Sequence, residues 1–573
     1  MRRPPRAPLL AALAAVACAS PGPPTARALR TGEARGQPVV VAVVVDQLAA
    51  WIARDRLPLL PATGGFARLR REGTWVKDLR FLHALTETAP GHAALFTGRT
   101  PRETGFVANA VVREDLPDRR VASLLEDPGA TLAGVSRRAP GTSLARLDGD
   151  TVADALRARD PAAVVVSLSL KDRAAMLGAG RRPTWAAWLD RDGNGGAAIV
   201  TTSAYPGLPA WLAARAPDIG PSSPLVWSPG DADFLAAHVA RADDRAGEDA
   251  GVFGTLTFPH AVAAARDRWH AYRASPMVDD LLVDLALESV RRERDPAHPM
   301  LVSVSLSGND YVGHAFGPDS LESWDELWRV DAALARLEAG LDRAVGPAGW
   351  ALVLSADHGV APLPEEVAAV RPPWCAPGAA DPYERPCAPG VRVDEEAVRS
   401  ALEVAASRAL GAPGDPGRPR RWVEAFEDPF AYLSPEARAL PAARRAALEA
   451  ALVHAAVEIP GIDAAFAISG LAGPCAAPGD EGLRALACRT VRPGIGDLFL
   501  APGPGSFFWT GRFGTSHGTP FLYDRAVPLL ARLPGAPGGH EVETGAFGSY
   551  RATVWYALTG EASEGRYGGV VGR

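Results

Sequence analysis

Lysine is almost missing from this chain: of 60 basic residues only Lys77 and Lys171 are lysine, and the rest are arginine. With abundant alanine, glycine and proline, that bias points to a GC-rich coding sequence, and it makes each lysine a position to ask about. Surplus positive charge is missing too. The formal net charge is -6, which argues against general nucleic-acid binding. Beyond the first residues no apolar run approaches the roughly 20 residues that a membrane-spanning helix needs. Cysteine is scarce, with five in 573 residues, and no two of them form a CxxC pair, which counts against a thiolate zinc cluster. No internal repeat stands out. What remains is an ordinary globular composition, 47% hydrophobic and 22% charged, rather than a disordered one.

The amino terminus reads as an export signal. Arg2, Arg3 and Arg6 precede the apolar run Ala7 to Ala17, and small residues follow; the run is too short to span a bilayer. Cleavage after Ala17, Ala19 or Ala28 fits, and Cys18 is a candidate lipid anchor although Ala15 stands where a lipoprotein signal usually has leucine. The expected mature protein is periplasmic or secreted, with a membrane-anchored lipoprotein as the alternative. Two local disulfides, Cys375 with Cys387 and Cys475 with Cys488, are the economical use of the remaining cysteines in that compartment. A structural zinc on the four thiolates is the alternative.

Val39 to Asp46 reads VVVAVVVD, a mostly β-branched run closing on an acid, as a buried parallel strand does. The pattern recurs. Ala162 to Leu170 ends beside Lys171 and Arg173, Met300 to Ser307 precedes Asp310 and His314, and Trp350 to Ser355 precedes Asp357 and His358. Amphipathic helices are expected over Asp150 to Asp160, Met277 to Asp295 and Leu321 to Val345. This alternation predicts an α/β sheet with its ligands beyond the strand carboxyl ends. Length alone suggests three or four domains at about 150 residues each. The candidate ligands run from Asp46 to His517, however, so we expect residues 1–28 as the signal and 29–573 as one catalytic domain, with insertions near 174–276 and 372–490. Pro441 to Ile459 reads as a further helix and Asp497 to Leu500 as a further strand. Nothing in the sequence sets an oligomeric state.

Thr88 to Gly98, TAPGHAALFTG, is a polar turn running into an apolar helix. Thr88 fits an N-cap, Pro90 is tolerated in the first turn, and Gly91 would let a ligand approach the backbone. Free N–H groups and the helix dipole there favour an alkoxide and a phosphate oxygen, although a threonine before proline is also an ordinary helix start. Asp46, Asp310, His314, Asp357, His358 and His517 make a mixed O/N donor set suited to zinc or a similar ion. Asp310 and His314 can converge on a helical turn or a tight loop. Asp357 and His358 must sit where their strand breaks, which Gly359 supports. Each residue alone has a plainer reading as a cap or a packed histidine; their joint placement changes the balance.

In order, VVVDQ, TAPGHAALFTG, NDYVGH, SADHG and TSHGTP resemble the motifs of the alkaline phosphatase superfamily, in its bacterial branch with a threonine nucleophile, related in core to nucleotide pyrophosphatase/phosphodiesterases. The resemblance covers nearly the whole mature chain. It implies a three-layer α/β/α core with a mostly parallel sheet and two zinc ions, one held by Asp310, His314 and His517 and the other by Asp46, Asp357 and His358 beside Thr88. It implies phosphoryl transfer to Thr88 and hydrolysis of the phosphothreonine, with His92 structural. Asn109, Lys171 and Arg173 take the phosphate-binding roles of the monoesterase branch, and one of only two lysines standing directly after a buried strand supports that assignment. Small-molecule phosphate monoesters are the expected substrates. A phosphodiesterase or nucleotide pyrophosphatase on the same core, and a metal-containing surface binding protein without turnover, are the alternatives. No Cys/Ser-x-Pro-x-Arg motif is present to support a sulfatase. Thr86 competes with Thr88, which we prefer for its T-x-P-x-H context, and Glu87 must be turned away from an entering phosphate or paired.

Overall fold

Strands that are buried at every position need cover on both faces, and four such runs in this chain lie side by side in one sheet. The computed structural model describes residues 37–572 except 117, 136–138, 192–195, 216–224, 240, 380, 414–419 and 564; the export segment and Cys18 lie outside the described residues. In chain order, the elements around the site are β1 (Val39–Val45), α1 (Thr88–Thr97), β2 (Val164–Ser169), α2 (Asp172–Ala179), α3 (Met277–Glu293), β3 (Met300–Leu306), α4 (Gly308–Phe316), α5 (Leu321–Val345) and β4 (Trp350–Ser355). β4, β1, β3 and β2 are neighbours in that order and all parallel. Val39 lies opposite both Met300 and Trp350, and Met300 lies opposite Val164. This level register brings the four carboxyl ends to one edge. On the helix layers, α3 packs against α5, and α1 packs against α2 and the helix Gly548–Thr559.

The expectation of a mostly parallel sheet is corrected. Trp185–Arg191 adds one more parallel strand beside β2, but Ala197–Thr202, Glu126–Ala133 and Pro140–Thr142 continue the sheet antiparallel. On the other side Ala526–Arg532 runs antiparallel to β4 and to Thr74–Arg80, and His540–Ala546 closes that edge parallel to Thr74–Arg80. The sheet thus has eleven strands, with a parallel middle, antiparallel flanks and one further parallel pair at the His540–Ala546 edge. Outer strands such as HEVETGA at His540–Ala546 are exposed along most of their length, so they carry no continuous apolar run for a sequence reading to find.

Residues 174–276 supply Trp185–Arg191 and Ala197–Thr202 to this sheet. Residues 372–490 contain most of a second, four-stranded sheet, Val423–Glu427, Phe430–Leu433 and Ile462–Ala467, completed by Leu498–Pro502. Helices Glu395–Leu410 and Ala442–Val457 pack on it around an apolar cluster of its own. Cys375 is bonded to Cys387 and Cys475 to Cys488, as the spacing predicts, which consumes the four thiolates that the zinc alternative required. Among the described residues no helix is long and apolar enough to cross a membrane.

At the start of α5, Ser320 Oγ accepts the Ser323 N–H, and the fully buried Glu322 places Oε1 2.8 Å from His260 Nε2 while Oε2 has no hydrogen-bond partner. Burial, reinforced by the nearby Asp243 and Glu248 carboxylates, pushes the Glu322 carboxyl up to about 10. A carboxyl raised on folding contributes stability that is complete below its unfolded value near 4.5 and is lost as pH rises through its folded value. Glu322→Gln keeps the shape and removes the ionisation. Its advantage in thermal unfolding over the wild type is expected to be at least ~1 kcal/mol larger at pH 9 than at pH 5; an advantage independent of pH contradicts this account of Glu322.

Candidate active site

Helix α1 begins one residue earlier than expected: Glu87 is the N-cap, extended at φ -127°, and Thr88 is the first helical residue. The side-chain cap comes from elsewhere. Asn109 Oδ1 accepts the Ala89 N–H at 2.9 Å, and the Asn109 N–H donates to Glu87 Oε2 at 2.6 Å. Glu87 is therefore engaged by the backbone, and burial, partly offset by that N–H and by Arg173, raises its carboxyl to about 7. The carboxylate that threatened to repel a phosphate is half neutralised near pH 7. Gly91 has a different use from the one expected. A Cβ there would stand 2.2 Å from the Asp357 carbonyl oxygen, so the glycine admits the Asp357 backbone rather than a ligand. Thr86 is occupied: its hydroxyl donates to the Thr519 carbonyl and accepts the Gly518 N–H.

Asp46 directly follows β1, and Asp310 and His314 lie on α4, four residues apart on one helix face. Asp357 and His358 follow β4 in irregular backbone, where a Cβ on Gly359 would meet the Tyr523 carbonyl at 2.2 Å. Among the described residues two groups converge closely enough to share an ion, Asp310 with His314 and His517, and Asp46 with Asp310 and His358. Asp310 thus belongs to both. Asp357 stands beside the second group, its Oδ2 3.6 Å from His358 Nε2 and 3.1 Å from His92 Nδ1. His92 also reaches the Thr88 carbonyl at 2.9 Å and Ser305 Oγ at 3.0 Å, which ties the start of α1 to β3.

The donor set fits a divalent cation. His314, His358 and His517 each place Nδ1 against a carbonyl oxygen, of Thr515, Gly359 and Thr86 respectively, at 2.7, 3.1 and 2.7 Å. A carbonyl only accepts, so each Nδ1 carries the proton and each Nε2 is turned towards the carboxylates. Asp46 Oδ1 and His358 Nε2 are buried without a hydrogen bond, and Asp46 Oδ2 and Asp357 Oδ2 are answered only by the charge contacts from Lys171 and from His92 and His358. Burial favours neutral imidazoles, and it pushes His517 well below its ordinary value, helped by His358 and His314. At His358 burial is outweighed by Asp357, Asp46 and Asp310, which raise it to about 9. Asp310 is held well below the usual carboxylate range, since Lys171, His314 and His517 together overcome its burial.

Lys171, the residue before α2, joins the carboxylates to the hydroxyl. Its Nζ lies 2.6 Å from Asp46 Oδ2, 2.7 Å from Asp310 Oδ2 and 3.1 Å from Thr88 Oγ1, to which it donates. Burial works against the ammonium, but Asp310 and Asp46 outweigh it and keep it charged. Arg173 stands two residues on, with Asp172 at 3.8 Å as its ion-pair partner and a buried Nε that makes no hydrogen bond. The structure therefore brings Thr88, Lys171, Asp46, Asp310, His314, Asp357, His358 and His517 into one cluster, with Asn109 against the start of α1, while Arg173 is paired with Asp172. Sequence reasoning gave no role to Gln47 or Asn309. Gln47, left-handed at φ 67°, donates Nε2 to Asp310 Oδ1 at 2.8 Å and its backbone N–H to Asp357 Oδ1, and Asn309 Nδ2 donates to the Asp46 carbonyl. Both stand inside the motifs VVVDQ and NDYVGH.

Residues 40–372 match the type I phosphodiesterase / nucleotide pyrophosphatase family over more than half the chain. The chain belongs to that family. Its resemblance to the threonine-nucleophile branch of the alkaline phosphatase superfamily holds as well. Alkaline phosphatase PhoV of Synechococcus elongatus is 30% identical over 341 residues, 57% of this chain and 60% of that protein. Alkaline phosphatase PafA of Elizabethkingia meningoseptica is 30% identical over 335 residues, 56% of this chain and 60% of that protein. These matches span about 60% of the relatives' length. The crystal structure of wild type alkaline phosphatase PafA shares the fold, with a TM-score of 0.76 at 23% identity, covering 91% of this chain and 96% of that one. The matched residues include Asp46, Asp310, His314 and His358 but not His517, and the sharing of Asp310 makes the two candidate ion groups unequal. After dialysis against a divalent metal, Asp310→Ala is expected to lose more bound ion than His314→Ala, measured by elemental analysis; equal losses would contradict the shared role of Asp310.

Proposed function

We propose that the protein is an exported, zinc-dependent phosphate monoesterase that transfers phosphate to Thr88 and then releases it by hydrolysis. The observation that carries this reading is the Lys171 ammonium, buried between two carboxylates and donating to the Thr88 hydroxyl. A charged lysine cannot take the threonine proton; it favours the alkoxide and lies where a transferred phosphoryl group would enter. Asn109 Oδ1 is committed to the Ala89 N–H, which leaves its amide N–H groups to donate to a phosphate oxygen. Arg173 adds a fixed cation for the extra nonbridging charge that distinguishes a monoester from a diester. The start of α1 contributes its N–H groups and dipole on the same side. When bound by the two donor groups, divalent ions, zinc by ligand type, supply Lewis-acid stabilisation of the attacking and leaving oxygens.

The names of PhoV and PafA support phosphatase activity, and the two disulfides accord with export and a periplasmic or secreted site, with Cys18 as a possible lipid anchor. The second reading, a phosphodiesterase, is favoured by the family matched over residues 40–372. Hydrolysis of p-nitrophenyl phosphate against bis-p-nitrophenyl phosphate separates the two. The purified protein is expected to prefer the monoester in kcat/KM and to lose turnover on chelation, and Lys171→Ala is expected to cost about 100-fold on the monoester with a smaller loss on the diester. A diester preference indifferent to Lys171→Ala would select the second reading. No turnover of either ester would leave a metal-containing binding protein.

A further inference from the structure

Lys171, Arg173, Arg273, Tyr311, Trp188 and Trp269 line one cavity of about 370 Å³, whose wall also carries the carboxylates of Glu126, Asp172 and Asp190. Tyr311 follows Asp310 on α4, so the helix that carries the candidate ligands also fixes this wall. Two cations approach the Tyr311 ring. Lys171 Nζ is 5.3 Å from its centre, and the Arg273 guanidinium is 4.4 Å from it and donates from Nη1 to Tyr311 Oη at 3.3 Å. The arginines nearby are paired with carboxylates, Arg173 with Asp172 and Arg191 with Asp267. Among the described residues no carboxylate lies within the 4.0 Å ion-pair distance of Arg273, and its Nε is buried without a hydrogen bond. Tyr311 Oη accepts from Arg273, which leaves the phenol proton to donate. Trp188 and Trp269 are almost wholly buried and present hydrocarbon rather than charge, and a water-poor wall strengthens any ion pair made against it.

A stacked guanidinium beside a phenol O–H is a fork for a planar or tetrahedral anion, held ready by the ring beneath it. Lys171 and Arg273 come within 5.3 and 4.4 Å of one ring centre, so less than about 10 Å separates them, within reach of a small ester with charge at both ends. Building on the monoesterase reading, we infer that Arg273 and Tyr311 form a second anion subsite that receives an acidic substituent of the leaving group, a carboxylate or a second phosphate, while the scissile phosphate lies at Thr88. The preferred substrates are then doubly anionic small esters rather than neutral alkyl phosphates.

Binding to metal-loaded Thr88→Ala protein tests this without turnover. Glycerol 3-phosphate and 3-phosphoglycerate differ by a hydroxymethyl group against a carboxylate, and propyl phosphate and 1,3-propanediol bisphosphate make the equivalent pair for a second phosphate. By calorimetry the acidic member of at least one pair is expected to bind about tenfold tighter, and the pair that shows it identifies which anion the subsite takes. Adding Arg273→Ala should bring that ratio to about one. Arg273→Lys, which keeps the charge and loses the fork, should give an intermediate ratio and guards against a folding defect. Equal affinities in both pairs, or a ratio that survives Arg273→Ala, would overturn the subsite. Turnover of the same esters by the wild type is read separately: its absence would remove the monoesterase reading, while the binding ratio would still decide the subsite.

Discussion

Three carboxylates, those of Asp46, Asp310 and Asp357, are buried to 2% exposure or less within one cluster, and their charge must be answered by cations in the same place. A buried carboxylate without a partner costs several kcal/mol, so this requirement governs the surroundings. Lys171 answers two of them directly, His358 lies between Asp46 and Asp357, and His314 and His517 turn their Nε2 atoms towards Asp310. Backbone and amide donors from Gln47 take up further acceptors. A donor set assembled in this way, with histidine tautomers fixed from behind by carbonyls, is organised for a dense positive charge beside the Thr88 hydroxyl.

The sheet makes that concentration affordable because its four central strands end level. Asp46 follows β1 at once, Lys171 follows β2, α4 starts two residues after β3, and Asp357 comes just past β4. One shift in register would move a whole strand's side chains to the other face. Close backbone approach does the rest: Gly91 lets α1 lie against the Asp357 carbonyl and Gly359 lets the strand end lie against Tyr523, and neither position has room for a Cβ. The nucleophile candidate and its ligands are thus positioned by backbone packing rather than by flexible loops.

Much of this was legible in the sequence, for a physical reason. A strand covered on both faces is mostly apolar, with nothing larger than serine as its polar residue here, so VVVAVVV, VVVSLS, MLVSVSL and WALVLS stand out, and a charged residue just past each is conspicuous. The apolar spacing of α3 and α5 gave their bounds closely, Leu321–Val345 without error. Features that depend on distance across the fold were not legible. The double membership of Asp310, the capping of α1 by Asn109 rather than by Thr88, and the use of Gly91 for packing all involve partners far away in the chain. Glu126–Ala133 and His540–Ala546 at the flanks were missed because exposed strands mix polar and apolar residues. Arg273 and Tyr311 were missed because an arginine among so many carries no signal until its missing carboxylate is seen.

The central claim is that Thr88, held by Lys171 at the start of α1, accepts the phosphoryl group. Rapid acid quench of the zinc-loaded protein during turnover of p-nitrophenyl phosphate, followed by peptide mass spectrometry, tests it most directly. The account predicts one phosphoryl group on Thr88 in the peptide that spans residues 81–99. Phosphate on Thr86, or release of p-nitrophenol with no phosphorylated threonine at any quench time, would contradict it.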